Sequence, residues 1–279
     1  MLLSDLVVRC ARRLGDAVML EATLTSSAVT FLDEVSVDHQ RRHYAGTQIF
    51  FYDDPDHENY GQYRFVGPTA PSANTLQWAG ALPATPLVGD KACLINARGK
   101  GWEVDEYRNA INDAIGRLRG VVLIHVEAAE SGADVSPSAP TFEAPEELNE
   151  LYRVEWYNPR YMEWHEVPKL RNRSGAGWSV DTAGSGTVRI SGPILSTIGG
   201  ASLRCFGYQY QPELEEWDDE LSIDSTPVIE YTVLALTKLA VDRENRNPVL
   251  FVPNEKDANA ALNRYRTMRR AGTEVIRSA

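Results

Sequence analysis

Leu203-Arg204-Cys205-Phe206-Gly207-Tyr208-Gln209-Tyr210 runs into Gln211-Pro212-Glu213-Leu214, crosses an acidic run to Asp224, and reaches Thr226-Pro227-Val228. The first octet is apolar or alternating and rich in aromatic residues, the texture of a strand in a two-sheet core. Thr226 is a suitable cap and Pro227 a suitable first-turn residue for a helix. Val228, Tyr231, Leu234, Ala235, Lys238, Leu239 and Asp242 carry its period, and Pro248 stops it near Asn247. About 21 residues at 1.5 Å each make a rod of roughly 30 Å. A strand, an acidic connection and a long helix in succession place the chain in the α+β class.

Outward from that stretch, two β-rich blocks alternate with helices. The first helix spans roughly 2–14, with Leu3, Leu6, Val7, Cys10 and Leu14 on one stripe and Arg9, Arg12 and Arg13 off it. Short strands follow at Tyr44–Tyr52, Gln62–Val66, Thr75–Trp78 and Ala92–Ile95, as in a small barrel or sandwich. A second helix after Trp102 carries Val104, Tyr107, Ile111, Ala114, Ile115 and Leu118, and Gly120 closes it. Residues 130–141 read as a loop, and the second β block covers 148–210. A last helix opens at Asn254, with Ala258, Ala261, Leu262, Tyr265 and Met268 on a narrow apolar face. The resulting division is an N-terminal helix at 1–20, a small barrel-like β domain at 21–98 and the second helix at 99–125. A β-sandwich at 126–222 and C-terminal helices with a tail at 223–279 complete it. No repeat of fixed period occurs.

The chain has 279 residues, of which 43% are hydrophobic and 24% charged. Those values describe a globular protein of about two domains and exclude a disordered or collagen-like chain. Its net charge of −11 repels duplex DNA as a whole. Cys10, Cys93 and Cys205 are scattered, which fits a reducing compartment and no disulfide framework. No apolar run approaches the roughly 20 residues that span a bilayer, and Met1-Leu2-Leu3-Ser4-Asp5 lacks the features of a signal peptide. The expectation is a soluble protein with no membrane partner.

Motifs for chemistry are weak. Tyr52-Asp53-Asp54-Pro55-Asp56-His57-Glu58 offers oxygen ligands but lacks the spacing of a calcium loop, and reads as a solvated turn. Trp164-His165-Glu166 puts imidazole and carboxylate on opposite faces of a strand. His39 and His43 have helical ligand spacing, but Arg41 and Arg42 between them repel a cation. Gly175-Ala176-Gly177 and Gly184-Ser185-Gly186 are turns rather than phosphate loops. No nucleophile, metal or nucleotide signature is present, so the expectation is no enzyme, no cofactor and no metal. A hydrolase built on unpatterned carboxylates is the residual enzymatic reading. Six Trp and twelve Tyr keep open a carbohydrate-binding β-sandwich of a phage tail or cell-surface protein, with Trp164 and Trp178 as its candidate platform.

Two charged segments stand out. Glu213, Glu215, Glu216, Asp218, Asp219, Glu220 and Asp224 form an acidic run, either a solvated connection or a surface that repels phosphate or meets a basic partner. Residues 255–279 hold six basic side chains against three acidic ones, on a helix too thin in apolar surface to stand alone. A solvated surface helix and a partner-docking helix both fit it.

Gly207-Tyr208-Gln209-Tyr210-Gln211-Pro212-Glu213-Leu214, then Asp218-Asp219, then Thr226-Pro227, resembles the head-to-tail adaptor proteins of tailed bacteriophages. There a strand ends in a Tyr-x-Pro-x-Leu-like turn, crosses an acidic loop and feeds a helix lined by Tyr, Ala and Leu. Tyr231, Ala235, Leu236, Leu239 and Ala240 fill those places here. Ser4-Asp5-Leu6 with Arg12-Arg13-Leu14-Gly15-Asp16 is similar to the opening helix of that family. Trp102-Glu103-Val104 with Ala110–Ile115 is similar to its second helix, and Pro145-Glu146-Glu147 before Tyr152-Arg153-Val154 to the start of its sandwich. The likeness covers 1–15 and 100–271; the β block at 21–96 departs from it and reads as an insertion.

The resemblance implies a structural virion protein in the neck, assembled in the bacterial host cytoplasm as a homo-oligomeric, twelvefold ring. The ring would sit between the portal protein and the downstream neck, stopper or tail protein, and genomic DNA would pass through its lumen without specific binding. Glu213, Glu215, Glu216, Asp218, Asp219 and Glu220 are then the candidates for the channel wall. Arg264, Tyr265, Arg266, Met268, Arg269, Arg270, Ile276 and Arg277 are the candidates for portal docking.

Overall fold

A computed structural model describes residues 1–33, 44–68, 74–96, 101–119, 124–131, 135, 138–146, 148–170, 176–180, 187–244 and 274–275. These form a mixed α+β structure in which every strand ladder is antiparallel. The chain divides into two compact units, residues 1–118 with 212–264 and residues 119–211 with 265–279.

In the first unit three helices pack on one another: α1 (Leu3–Arg13), α2 (Val104–Leu118) and α4 (Ser225–Glu244). α1 buries Leu3, Leu6, Val7 and Cys10 and exposes Arg9, Arg12 and Arg13, as its periodicity indicates. It ends where the Gly15 and Asp16 amides bond back to the Arg12 and Ala11 carbonyls at 3.0 and 2.8 Å. α2 starts with the Glu103 amide donating to Glu106 Oε2 at 3.0 Å, one half of a capping box. The cap of α4 is Asp224, whose Oδ1 accepts the Thr226 amide at 2.8 Å, rather than Thr226 itself. The buried face of α4 matches the expected stripe only in part. Val228 and Leu234 are buried as expected, Thr232, Val233, Leu236 and Thr237 also turn inward, and Lys238 and Leu239 are exposed. Thr232 and Thr237 are accommodated because each hydroxyl donates to the carbonyl four residues earlier, at 2.8 and 2.7 Å.

Strands β1 (Ala17–Glu21), β3 (Gln48–Phe51), β4 (Tyr63–Phe65) and β6 (Lys91–Ile95) make a sheet of order β1-β6-β3-β4, and β2 (Thr30–Leu32) pairs with β5 (Thr75–Gln77). All four residues of β3 are buried, so both faces of that strand are covered. Ile49 and Phe51 join Leu20, Phe31, Leu76, Trp78 and Leu94 in one cluster. On the other face Gln48 Oε1 accepts the Val104 amide at the start of α2, at 2.7 Å. Asp16, just after α1, accepts the Trp102 amide and the Tyr107 hydroxyl at 2.9 and 3.0 Å. The expected β domain at 21–98 therefore belongs to the same compact unit as the helices, and its first strand begins at Ala17. Single bridges, Leu24–Leu32 and Val66–Trp78, link the ends of the two sheets, and no closed barrel is formed among the described residues.

The second unit contains β7 (Ile124–Ser131), β8 (Thr141–Glu143), β9 (Glu150–Asn158), β10 (Glu163–Val167), β11 (Gly177–Val180), β12 (Thr187–Ser191), the short α3 (Ile194–Ile198), β13 (Leu203–Gln209) and β14 (Glu274–Val275). One sheet has the order β10-β9-β13-β7 with β14 also on β9, and a second has the order β11-β12-β8. Val154, Trp156, Leu203 and Cys205 of the first share a core with Phe142, Trp178, Val188 and Ile190 of the second. The register of β13 shifts at Gly207, where a Cβ would meet the Glu150 carbonyl oxygen at 2.1 Å, so only glycine permits that approach. β7 lies across the expected 125/126 boundary, and neither it nor α3 stands out in the sequence pattern.

Burial pushes the thiols of Cys10, Cys93 and Cys205 up from 9.0 to about 12. The folded chain thus keeps protons that unfolded thiols release above about pH 9. The associated stability is complete below that pH and is lost as the pH rises toward 12. Urea midpoints should hold level up to about pH 9 and decline above it. The three thiols should also resist alkylation in the native state at neutral pH and react only after unfolding.

Candidate interaction surfaces

The acidic run is a strap fixed to the helices and sheet of the first unit. Leu214 and Leu221 are buried, with Trp217 partly buried between them. The Asn112 side chain of α2 clamps Leu214, donating to its carbonyl and accepting its amide, both at 2.9 Å. Trp217 lies 5.1 Å from the Phe50 ring and 6.4 Å from Tyr63, with the Arg108 guanidinium 5.2 Å from its centroid. Its carbonyl accepts the Tyr60 hydroxyl at 2.8 Å and the Ser4 amide at 3.2 Å. The Leu3 amide donates to Asp219 O and the Leu221 amide to Met1 O, at 3.0 and 2.8 Å.

Around these anchors Glu213, Glu215, Glu216, Asp218 and Glu220 are exposed. Asp219 is different, because its Oδ2 accepts the amides of Glu215 and Glu216 at 2.6 and 2.9 Å. The structure therefore brings five of the six channel candidates to an outer surface and uses the sixth to shape the turn. The portal-docking candidates Arg264, Tyr265, Arg266, Met268, Arg269, Arg270, Ile276 and Arg277 lie outside the described residues, as do His39, His43 and the last expected helix.

The Tyr52–Glu58 and Trp164–Glu166 motifs form local structure, while Gly175 and Gly184-Ser185-Gly186 lie outside the described residues. In the Tyr52–Glu58 turn, Asp53 pairs with Lys91 at 3.0 Å and Asp54 Oδ1 accepts the Asp56 amide. His57 Nδ1 accepts the Asn59 amide, and its Nε2 lies 3.6 Å from Asp90. Among the described residues no three His, Cys, Asp or Glu side chains are grouped to hold a metal ion. β10 directs His165 inward, its ring 5.5 Å from that of Trp156, and leaves Glu166 exposed. Trp178 is fully buried. Trp164 lies 5.3 Å from the Tyr157 ring and carries the Arg204 guanidinium 4.3 Å from its centroid. Arg204 is in turn held by Glu155, at 2.6 and 2.7 Å. Trp178 is therefore out of reach of a sugar ring, and one face of Trp164 is occupied by Arg204.

Two apolar exposures have no forerunner in the sequence reading: Leu87-Val88 beside Leu24, and Tyr161-Met162 at the β9–β10 turn. The strap anchors were also missed, although an apolar residue at 214, 217 and 221 within a charged run is a legible sign of attachment. Among the described residues no helix is long and apolar enough to cross a membrane. No protein-family model matches this sequence, and no curated protein matches it.

The anchoring generates a stability prediction. Asn112→Ala leaves the Leu214 amide and carbonyl without that partner and should cost about 1–3 kcal/mol in urea unfolding. Gly61 has φ +74 and lies under Trp217, whose Cδ1 would be 2.2 Å from an added Cβ. Gly61→Ala should therefore destabilise by about 2 kcal/mol or more, combining left-handed strain with displacement of the indole.

Proposed function

We propose that this chain is a structural head-to-tail adaptor of a tailed bacteriophage. It would act as one subunit of a ring, twelvefold by the resemblance, between the portal protein and the next neck or tail protein. The observation that carries the reading is the strap: five exposed carboxylates held at fixed positions by alternating apolar anchors. A ring multiplies that display by its number of subunits, and a wall of fixed negative charge keeps passing DNA from adhering. In this reading α1, α2 and α4 are the family's helical frame and the two-sheet unit is its β-sandwich. The sheets at 17–95 are a barrel-like addition carried on the frame. Residues 264–277 would reach the portal, and the protein would work in the virion neck after assembly in the host cytoplasm, without catalysis or cofactor.

Mass spectrometry of purified tailed particles should find the chain at about the copy number of the portal. Its absence from the particle would overturn the proposal, and hundreds of copies would move it to the capsid or tail tube. The channel assignment has its own test. Reversing Glu213, Glu215, Glu216, Asp218 and Glu220 to lysine alters exposed side chains only, so the fold should persist. The reversed protein should gain salt-dependent affinity for duplex DNA, and its particles should release DNA more slowly. Unchanged release would remove the strap from the channel wall.

A further inference from the structure

β14 fills a gap that the rest of its unit leaves open. β10 runs beside β9 only as far as Val167, opposite Val154. There the chain turns to the other sheet: Pro168 O accepts the Trp178 amide of β11 at 2.8 Å, and the Leu170 amide donates to Trp178 O at 2.9 Å. The start of β9, including Glu150 and Leu151, therefore lies beyond β10. One edge of these two residues is taken by β13, which pairs Tyr208 with Glu150 and Gly207 with Leu151.

Both residues are fully buried, and Leu151 belongs to the core shared by the two sheets. Glu150 Oε1 accepts the Tyr210 hydroxyl at 3.2 Å. An open strand edge at such a place is costly, because buried amide and carbonyl groups need partners. β14 closes it, with Glu274 opposite Leu151 and Val275 opposite Glu150, and it also lies against β11 of the second sheet. The local sequence suits a strand, since Thr273, Val275 and Ile276 are β-branched.

The strand comes from far along the chain. α4 ends at Glu244, and residues 245–273, with Pro248 and Pro253 among them, separate it from β14. A stretch of that length can extend to roughly 90 Å at about 3.3 Å per residue. It also leads from one compact unit to the other, since α4 belongs to the first and β14 to the second. The gap selects this strand without selecting which copy supplies it, because every copy offers the same edge of β9.

We propose that in the assembled protein β14 of one copy fills the gap on β9 of a second copy, a strand exchange handed from subunit to subunit. Exchange of an identical element keeps every pairing of the self-filled chain and needs no new complementary surface. The connection is long enough for the strand to reach a neighbour held beside it. Donor and acceptor are different parts of the chain, so the contact is heterologous, the kind that closes into a ring. Strand addition supplies main-chain hydrogen bonds, and the core around Leu151 is incomplete without its donor. The proposal rests on the reading of the protein as a ring subunit and refines it at one place. Residues 274–275 go to the neighbouring copy, and 264–273 remain the portal-directed stretch.

Disulfide trapping in full-length chains tests it. The three native cysteines are buried, so oxidation reports on introduced thiols. Positions 151 and 274 lie opposite one another in the register. Leu151→Cys and Glu274→Cys chains, co-expressed and mildly oxidised, should give a covalent dimer whose linking peptide joins the two positions. Neither chain alone can form that linkage. A single chain carrying both substitutions should give covalent multimers, and a cross-linked monomer as the sole product overturns the exchange. So does the absence of any 151–274 linkage in variants whose circular dichroism matches the parent. A second variant keeps Leu151: Glu274→Pro with Val275→Pro removes both amide donors of β14. It should raise the concentration needed for assembly about tenfold or more, and unchanged assembly also overturns the proposal. Linkage confined to one chain, in a protein present in particles at portal copy number, sinks the exchange and leaves the adaptor reading standing. Interchain linkage in a protein absent from such particles sinks the adaptor reading and leaves the exchange.

Discussion

Trp217 is the point where the sheet and two helices of the first unit converge, and the acidic strap depends on it. The indole approaches Phe50 of β3, Tyr63 of β4 and Arg108 of α2, while its carbonyl is tied to Ser4 of α1 and to Tyr60. Five exposed carboxylates between 213 and 220 repel one another and favour a solvated, spread chain. Apolar residues at 214, 217 and 221 oppose that tendency by recurring every three or four positions, so one side of the strap faces inward. The absence of a Cβ at Gly61 lets the indole settle against the backbone. Sequence spacing, local turn geometry and packing act together here to hold like charges in register.

The parts of the fold that were legible in the sequence are those in which one periodicity had one interpretation. α1 and α2 have narrow apolar stripes with charged residues opposite, and their bounds and buried faces follow directly. α4 is apolar on more than one side, so its length could be read but not its orientation; Thr232 turns inward and Leu239 outward. The region 21–98 reads as a separate β domain because short strands carry no sign of what covers their second face. The side-chain amide of Gln48, polar and buried, ties it to the start of α2. β7 was hidden by its composition: Ile124-His125-Val126-Glu127-Ala128 alternates, but Ala129 and Glu130 break the pattern, and Ala and Glu are poor strand formers. Of the candidate site, the charges were visible and the anchors were not recognised, while the exposure of Leu87, Val88, Tyr161 and Met162 is something no local pattern encodes.

In the second unit arginines and aromatic rings cover one another on one face of the sheet. Arg153 lies 3.8 Å from the Phe206 centroid, Arg204 lies over Trp164, and Glu155 bridges the two arginines. Each guanidinium covers ring surface and keeps a carboxylate partner, so Phe206 is only 7% exposed although it lies opposite the shared core. Such contacts contribute roughly 0.5–1 kcal/mol each at exposed sites and more when desolvated. They finish the outer face of the sheet with the protein's own side chains. Removing the arginines would strand Glu155, a buried carboxylate, at a steep cost.

The geometry of the strap also bears on how its surface charge acts. At physiological salt, fixed charges act over about 8 Å, so a carboxylate on a loose loop, swinging over a greater distance, delivers little steady field at any one place. Tethering at Leu214, Trp217 and Leu221 removes that freedom from the backbone while leaving the five carboxylates in solvent. Asp219 shows the cost of the arrangement, since one of its oxygens is spent on the amides of Glu215 and Glu216 and its field is directed into the turn. The six acidic residues are therefore not equivalent: one carboxylate organises the loop so that the other five can face outward.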